Sequence, residues 1–173
     1  MRNLKRITHE EVIELLHYDN DSGLFRWKTR TSNRRAMSIA GCVDNTKKGY
    51  VVIRINGRLY YAHRLAWFYV HKEWPEREID HINGNASDNC ISNLRNASRS
   101  ENQSNLAAPS SNTSGFKGVS WNKSMKMWQS QITVNHVNNY LGCYSTKELA
   151  HRHYCRAALK YFGEFANFSV RLT

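Results

Sequence analysis

The sequence predicts an α+β protein assembled from short helices and small antiparallel sheets, and three observations predict it. Ser/Thr-x-x-Glu spacings at Thr8/Glu11, Ser98/Glu101 and Ser145/Glu148 mark three helix starts. Asn56-Gly57 sits between two strand-like runs, residues 50–55 and 58–61, and joins them as a hairpin. Residues 107–115 have the small, polar composition of a linker, so the 173 residues divide into small domains with modest cores.

Taken in order, Thr8 opens a short amphipathic helix carrying Val12, Ile13, Leu15 and Leu16, which stops at the turn cluster Asp19-Asn20-Asp21-Ser22-Gly23. Residues 24–28, 39–43 and 50–55 read as strands, and a helix runs from His63 to about His71 and ends before Trp74-Pro75. Residues 78–81 end a strand, Asn83-Gly84 makes a tight turn, and the helix from Ser98 carries Asn102 in its first turn. In the last third, Leu149, Ala150, Tyr154, Ala157, Ala158 and Tyr161 recur at helical intervals, so one helix packs on one small sheet, with Trp121 and Trp128 in its core. The expected division is 1–49, an N-terminal helix and β-rich region; 50–106, a module around the polar loop; 107–114, a linker; and 115–173, the last domain.

Charge narrows the partners. The formal net charge is +11, and residues 106–173 hold 8 Lys/Arg against 2 Asp/Glu. Basic side chains interleaved with aromatic and amide ones favour nucleic acid over a membrane or an acidic protein. Cys42, Cys90, Cys143 and Cys155 are scattered without a Cys-x-x-Cys pair, which argues against a structural zinc and against a disulfide framework. No signal peptide or membrane span is visible, and with the scattered cysteines the expected location is a reduced cytoplasm. The reading favours a monomer.

The chemistry concentrates in one run. Seven asparagines fall from Asn83 to Asn105, in a segment with too few apolar residues for an ordinary core element. Asp80 and Asn102 offer hard oxygen ligands of the kind a divalent cation prefers, and His81 is suited to deprotonate water near neutral pH. Asn83, Asn85, Asn89 and Asn96 read as turn formers and caps rather than ligands. His63, at a helix start beside Leu65, Trp67 and Phe68, reads more as a structural residue than a functional one. His71, His136, His151 and His153 read as surface residues.

The stretch His63-Arg64-Leu65, Asp80-His81-Ile82-Asn83-Gly84-Asn85, Asp88-Asn89, Asn93-Leu94-Arg95 and Glu101-Asn102 resembles the HNH endonucleases of the phage and intron homing type. The resemblance implies a ββα-metal fold with His81 as general base, Asp80 and Asn102 as ligands of one divalent metal ion, and Asn93 as the asparagine that braces the loop. The ion implied is Mg²⁺, with Mn²⁺ the alternative. Asn102 stands where many relatives have a third histidine.

A second resemblance covers the last third. Residues 116–121, 128–132, 140–144 and 157–163 resemble an AP2/ERF DNA-binding domain, a three-stranded antiparallel sheet packed on one helix. It implies that Lys117, Ser120, Asn122, Gln131, Thr133, Asn138 and Tyr140 occupy DNA-facing sheet positions, with Tyr154 on the helix. Lys123 and Lys126 would add phosphate contacts, as would Arg30, Arg34 and Arg35 in the N-terminal region. The function expected is a site-specific, metal-dependent DNA endonuclease of homing type, nicking or cutting both strands. The alternative is a DNA-binding regulator whose nuclease module is inactive.

Overall fold

A computed structural model describes residues 6–31, 34–47 and 49–170; the basic start at residues 1–5 lies outside them. The chain forms two compact units, Met1–Asn96 and Ala97–Thr173.

The first unit opens with α1 (His9–Leu15), whose start is closed in both directions. Glu11 N donates to Thr8 Oγ1 at 3.3 Å and Thr8 N donates to the Glu11 carboxylate at 2.7 Å. Extended backbone at Leu16 ends the helix and begins β1 (Leu16–Tyr18), which pairs antiparallel with β2 (Phe25–Trp27). Because side chains alternate along a strand, Leu16, Tyr18, Phe25 and Trp27 share the buried face. A three-stranded sheet follows, ordered β3 (Cys42–Asp44), β4 (Tyr50–Ile55), β5 (Arg58–Tyr61). Asn56 and Gly57 both take positive φ, 49° and 81°, as a two-residue hairpin turn requires.

The strand expected over residues 39–43 is shorter. Ile39 makes an isolated bridge to Arg26 and pairing with β4 starts at Cys42, because Gly41 at φ 97° bends the backbone between them. Beyond the hairpin, α2 (Ala62–His71) presses Ala62, Leu65, Ala66 and Phe68 into one core with Val12, Phe25, Ile53 and Ile79. The helix ends where Lys72 turns left-handed at φ 63°. A two-stranded sheet completes the unit's scaffold, β6 (Glu78–His81) against β7 (Leu94–Ala97).

The second unit starts with α3 (Arg99–Asn105), capped reciprocally by Ser98 and Glu101. Its sheet is ordered β8 (Val119–Asn122), β9 (Met127–Val134), β10 (Val137–Tyr144), all antiparallel. Asn135 and His136, at φ 48° and 66°, form the tight turn between the last two strands. The helix α4 (Lys147–Phe162) packs on this sheet, with Tyr154, Ala158 and Phe162 meeting Ile132 and Phe165 in the core. Its cap is Thr146, whose hydroxyl accepts from Leu149 N at 3.2 Å, one residue later than the Ser145/Glu148 spacing predicts.

Three other expectations change. Residues 112–114 are bound into the second unit: Ser114 is buried and donates to Val119 O at 2.8 Å, while Asn112 Nδ2 donates to Phe116 O at 2.9 Å. Trp121 is 46% exposed and meets Trp128 only edge-on, so it is not core. His151 is buried, because its Nδ1 lies 3.2 Å from Lys117 O and its Nε2 lies 3.3 Å from Cys155 Sγ. Among the described residues no helix is long and apolar enough to cross a membrane.

Gly118 takes φ 74°, and a Cβ there would lie 2.1 Å from the Tyr154 ring. Gly118→Ala combines a strained backbone with overpacking and should destabilise the second unit by about 2 to 4 kcal/mol. A urea denaturation midpoint unchanged by the substitution would contradict this packing.

Candidate active site

The site of the first unit is built from the ends of short elements. Glu78-Ile79-Asp80-His81 forms β6, in which Ile79, Asp80 and His81 are all buried. His81 O accepts from Gly84 N at 2.8 Å, so the chain turns sharply after the histidine. The loop that follows is held by amides. Asn93 Oδ1 accepts from Asn83 N at 3.0 Å, and Asn93 Nδ2 donates to Asn83 Oδ1 and to Asp88 O, each at 3.0 Å. Asn93 thus ties the start of the loop to its end, and Asn83 Nδ2 adds a bond to Asp88 Oδ2 at 2.7 Å.

Asp80 is paired with Arg95 of β7, whose Nε donates to Oδ2 at 2.9 Å. Both side chains are largely buried, so the guanidinium balances a carboxylate that water does not solvate. His81 sits 3.3 Å from Asn89 Oδ1 through Nε2. Its ring meets that of His63 edge-on at 5.2 Å, and Tyr50 lies 5.1 Å from His63 and 5.9 Å from His81. His63 is the second residue of α2, and its buried Nδ1 has no hydrogen-bond partner.

Burial controls the protonation of both rings. Loss of water holds the His63 imidazole down at about 3, with the neighbouring His81 and Arg64 charges acting the same way. Burial also lowers His81, opposed by the Asn89 bond and by the Asp80 and Asp88 carboxylates. A neutral histidine at this position has the protonation state a general base needs.

Among the described residues, no three His, Cys, Asp or Glu side chains gather into a metal-holding group. In the first unit Asp80 brings a carboxylate, an oxygen donor of the kind a hard divalent cation prefers. Asn102 lies in the second unit on α3, half-buried, with its backbone N closing the first helical turn onto Ser98 O at 2.9 Å.

The sheet of the second unit gathers most of the residues named for DNA contact. Strand register and alternation put Ser120, Asn122, Gln131, Thr133, Asn138 and Tyr140 on the face opposite the buried Ser130 and Ile132. Their amides form a chain: Asn122 Nδ2 donates to Gln129 Oε1 at 3.0 Å, and Gln129 Nε2 and Asn138 Nδ2 each donate to Gln131 Oε1 at 3.2 Å. Gln129 was absent from the sequence-based set, although the alternation Gln129, Gln131, Thr133 in β9 carried the signal.

Lys123 and Lys126 are exposed on the β8–β9 turn. Lys117 differs, since its ammonium donates to the carbonyls of Ser104 and Leu106 at the end of α3 and burial pulls its pKa down to about 8. Tyr154 is in the core. In the first unit, Arg30 and Arg35 are exposed, while the Arg34 guanidinium lies 3.7 Å above the Trp27 ring.

Residues 60–104 match the family of HNH endonucleases. Protein 3.8 of Escherichia phage T7 is 48% identical over 56 residues, which is 32% of this chain and 46% of that protein. The chain therefore spans less than half the length of that relative. No solved structure matches.

Folded His63 stays neutral down to about 3, while in the unfolded chain it titrates near its ordinary 6.5. The unfolded state then binds more protons across that window, so stability is full above about pH 6.5 and falls as the pH drops toward 3. His63→Leu should flatten this acid limb, read as the urea midpoint against pH; an unchanged limb would show that the ring is not held neutral.

Proposed function

We propose that this chain is a site-specific, divalent-metal-dependent DNA endonuclease of the homing type, acting on double-stranded DNA in a bacterial or phage-infected cell. The observation that carries the reading is a buried His81 beside a buried Asp80, at the end of β6 and inside the stretch that matches HNH endonucleases, with burial lowering the His81 pKa. In this reading residues 50–106 are the nuclease module and residues 115–173 the sequence reader, AP2-like in kind.

His81 takes a proton from the water that attacks phosphorus, and Asn93 keeps the loop after His81 closed while it does so. Asp80 and Asn102 would hold one divalent ion, Mg²⁺ or Mn²⁺, which supplies charge neutralisation at the phosphate and the leaving 3′ oxygen. Arg95 shares the Asp80 carboxylate and keeps it oriented. On the reader, Asn122, Gln129, Gln131 and Asn138 present amide groups of the type that pair with adenine edges, and Lys123 and Lys126 meet phosphates.

Supercoiled plasmid incubated with the protein and Mg²⁺, with and without EDTA, tests the reading. His81→Ala should leave DNA affinity intact while cutting falls by roughly 10² to 10⁴-fold. Cutting by His81→Ala at the wild-type rate rejects the base assignment. DNA binding by the wild type without any metal-dependent cutting rejects the enzyme.

The two kinds of reader residue should separate in binding assays. Lys126→Ala should weaken binding to all sequences and make the salt dependence shallower by about one unit. Gln131→Ala should relax sequence choice at a cost of about 1 to 3 kcal/mol. Equal selectivity in Gln131→Ala and wild type would move the reader role elsewhere, with Arg30, Arg34 and Arg35 next to be tested.

A further inference from the structure

We propose that Asn89 is a positioning residue for His81: it holds the ring with its proton on Nε2, so that Nδ1 is the nitrogen that accepts the proton from water, and the β1–β2 hairpin is the clamp that holds Asn89. The proposal rests on the nuclease reading of His81 and adds the atom that does the chemistry and the element that orients it.

The argument starts from the amide. Asn89 is buried, and its Nδ2 donates to Ser87 O at 3.1 Å. That bond determines which way the amide is turned, so the atom facing His81 Nε2 at 3.3 Å is Oδ1. An amide oxygen only accepts hydrogen bonds, hence Nε2 carries the hydrogen. In a neutral imidazole one nitrogen is a donor and the other an acceptor, which makes Nδ1 the basic one.

Asn89 is in turn gripped from the far end of the sequence. The Tyr18 hydroxyl, buried on β1, donates to Asn89 O at 2.7 Å. Gly23, in the turn between β1 and β2, lies so close that a Cβ would sit 2.3 Å from Cys90 N and 2.4 Å from the Asn89 carbonyl carbon. Cys90 Sγ reaches Asp21 O in the same turn at 2.8 Å. A loop with few apolar side chains cannot anchor itself by burial, so these contacts supply the anchor. The hairpin is therefore part of the catalytic apparatus without touching the reacting atoms, and residues 16–27 have a role beyond any contact with DNA.

The test uses the full chain labelled with ¹⁵N-histidine. In neutral His81, long-range ¹H–¹⁵N spectra should show a single Nε2–H tautomer whose proton exchanges slowly with water. Asn89→Leu removes the acceptor at similar size: the slowly exchanging proton should vanish, the tautomers should mix, and kcat for plasmid cutting should fall about 10²-fold with KM unchanged, as expected for a misaligned base. Asn89→Asp keeps an oxygen acceptor and should retain the slow proton and most of kcat. Should Asn89→Leu fail to fold, Tyr18→Phe gives the same reading from the clamp side, with faster exchange of the Nε2 proton.

A wild-type Nδ1–H tautomer overturns the proposal, as does a slow Nε2–H that survives in Asn89→Leu. Unchanged exchange in Tyr18→Phe overturns the clamp. A wild-type protein that shows the protected Nε2–H but cuts no DNA overturns the nuclease reading and leaves the hydrogen bond standing, so the two failures are distinguishable.

Discussion

Ordering a loop that has almost no apolar side chains to bury is the constraint on which the first unit's site depends. Between His81 and Leu94 the side chains are mostly Asn, Asp and Ser, with Ile82 exposed and Ile91 only partly buried against the core. Fixing the backbone of each residue costs on the order of 1 to 2 kcal/mol, and hydrophobic burial is not there to offset it. Amide side chains supply the compensation because each has donors and an acceptor on one rigid plane. Asn93 spans the loop mouth, Asn85 Oδ1 accepts from Ser87 N at 3.1 Å, and Asn89 ties the loop interior to His81. The density of asparagine in this run is thus a structural solution, and His81 inherits its orientation from it.

The second constraint is electrostatic. Placing Asp80, His81 and His63 inside the unit removes water from all three, and each is handled differently. Asp80 keeps a guanidinium partner at 2.9 Å; His81 and His63 are pushed toward the neutral form by burial. A carboxylate held by a guanidinium next to an imidazole that burial pushes toward its neutral form is a pairing that environment, not residue type, creates. Arg95 matters here for the same reason that it is mostly hidden: a partner in bulk water would be screened and worth little.

How much of this was legible in the sequence follows from the range of each interaction. The Asn56-Gly57 hairpin, the caps at Thr8 and Ser98, and the placement of Asp80 and His81 at a strand end depend on neighbours a few residues away, and all are present. Asn89 looked like its neighbouring turn formers, because what buries it is Tyr18 and Gly23. Lys117 reads from the sequence as a DNA-facing lysine for an equivalent reason, since the carbonyls that take its ammonium belong to α3. In the sequence Arg95 is one letter of a motif; its pairing with Asp80 needs β6 and β7 to be side by side. Local chemistry could be read from spacing, and cross-chain satisfaction of polar groups could not.

The same physics bears on the reader role proposed for the second unit's sheet. Its open face carries hydroxyl, amide and phenol groups at Ser120, Asn122, Gln129, Gln131, Thr133, Asn138 and Tyr140, and none of these is charged. The cations near it, Lys123 and Lys126, sit on the β8–β9 turn at the sheet's end. A charged side chain in the middle of that face would attract phosphate of any sequence and carry little information, whereas an amide distinguishes donors from acceptors on a base edge. The hydrogen-bonded chain through Gln129 and Gln131 adds rigidity, because each amide is held at a set angle before anything binds. Preorganised amides lose less entropy when they pair, so in the proposed reader role a face without charge would still contribute to affinity once the flanking lysines had brought DNA near.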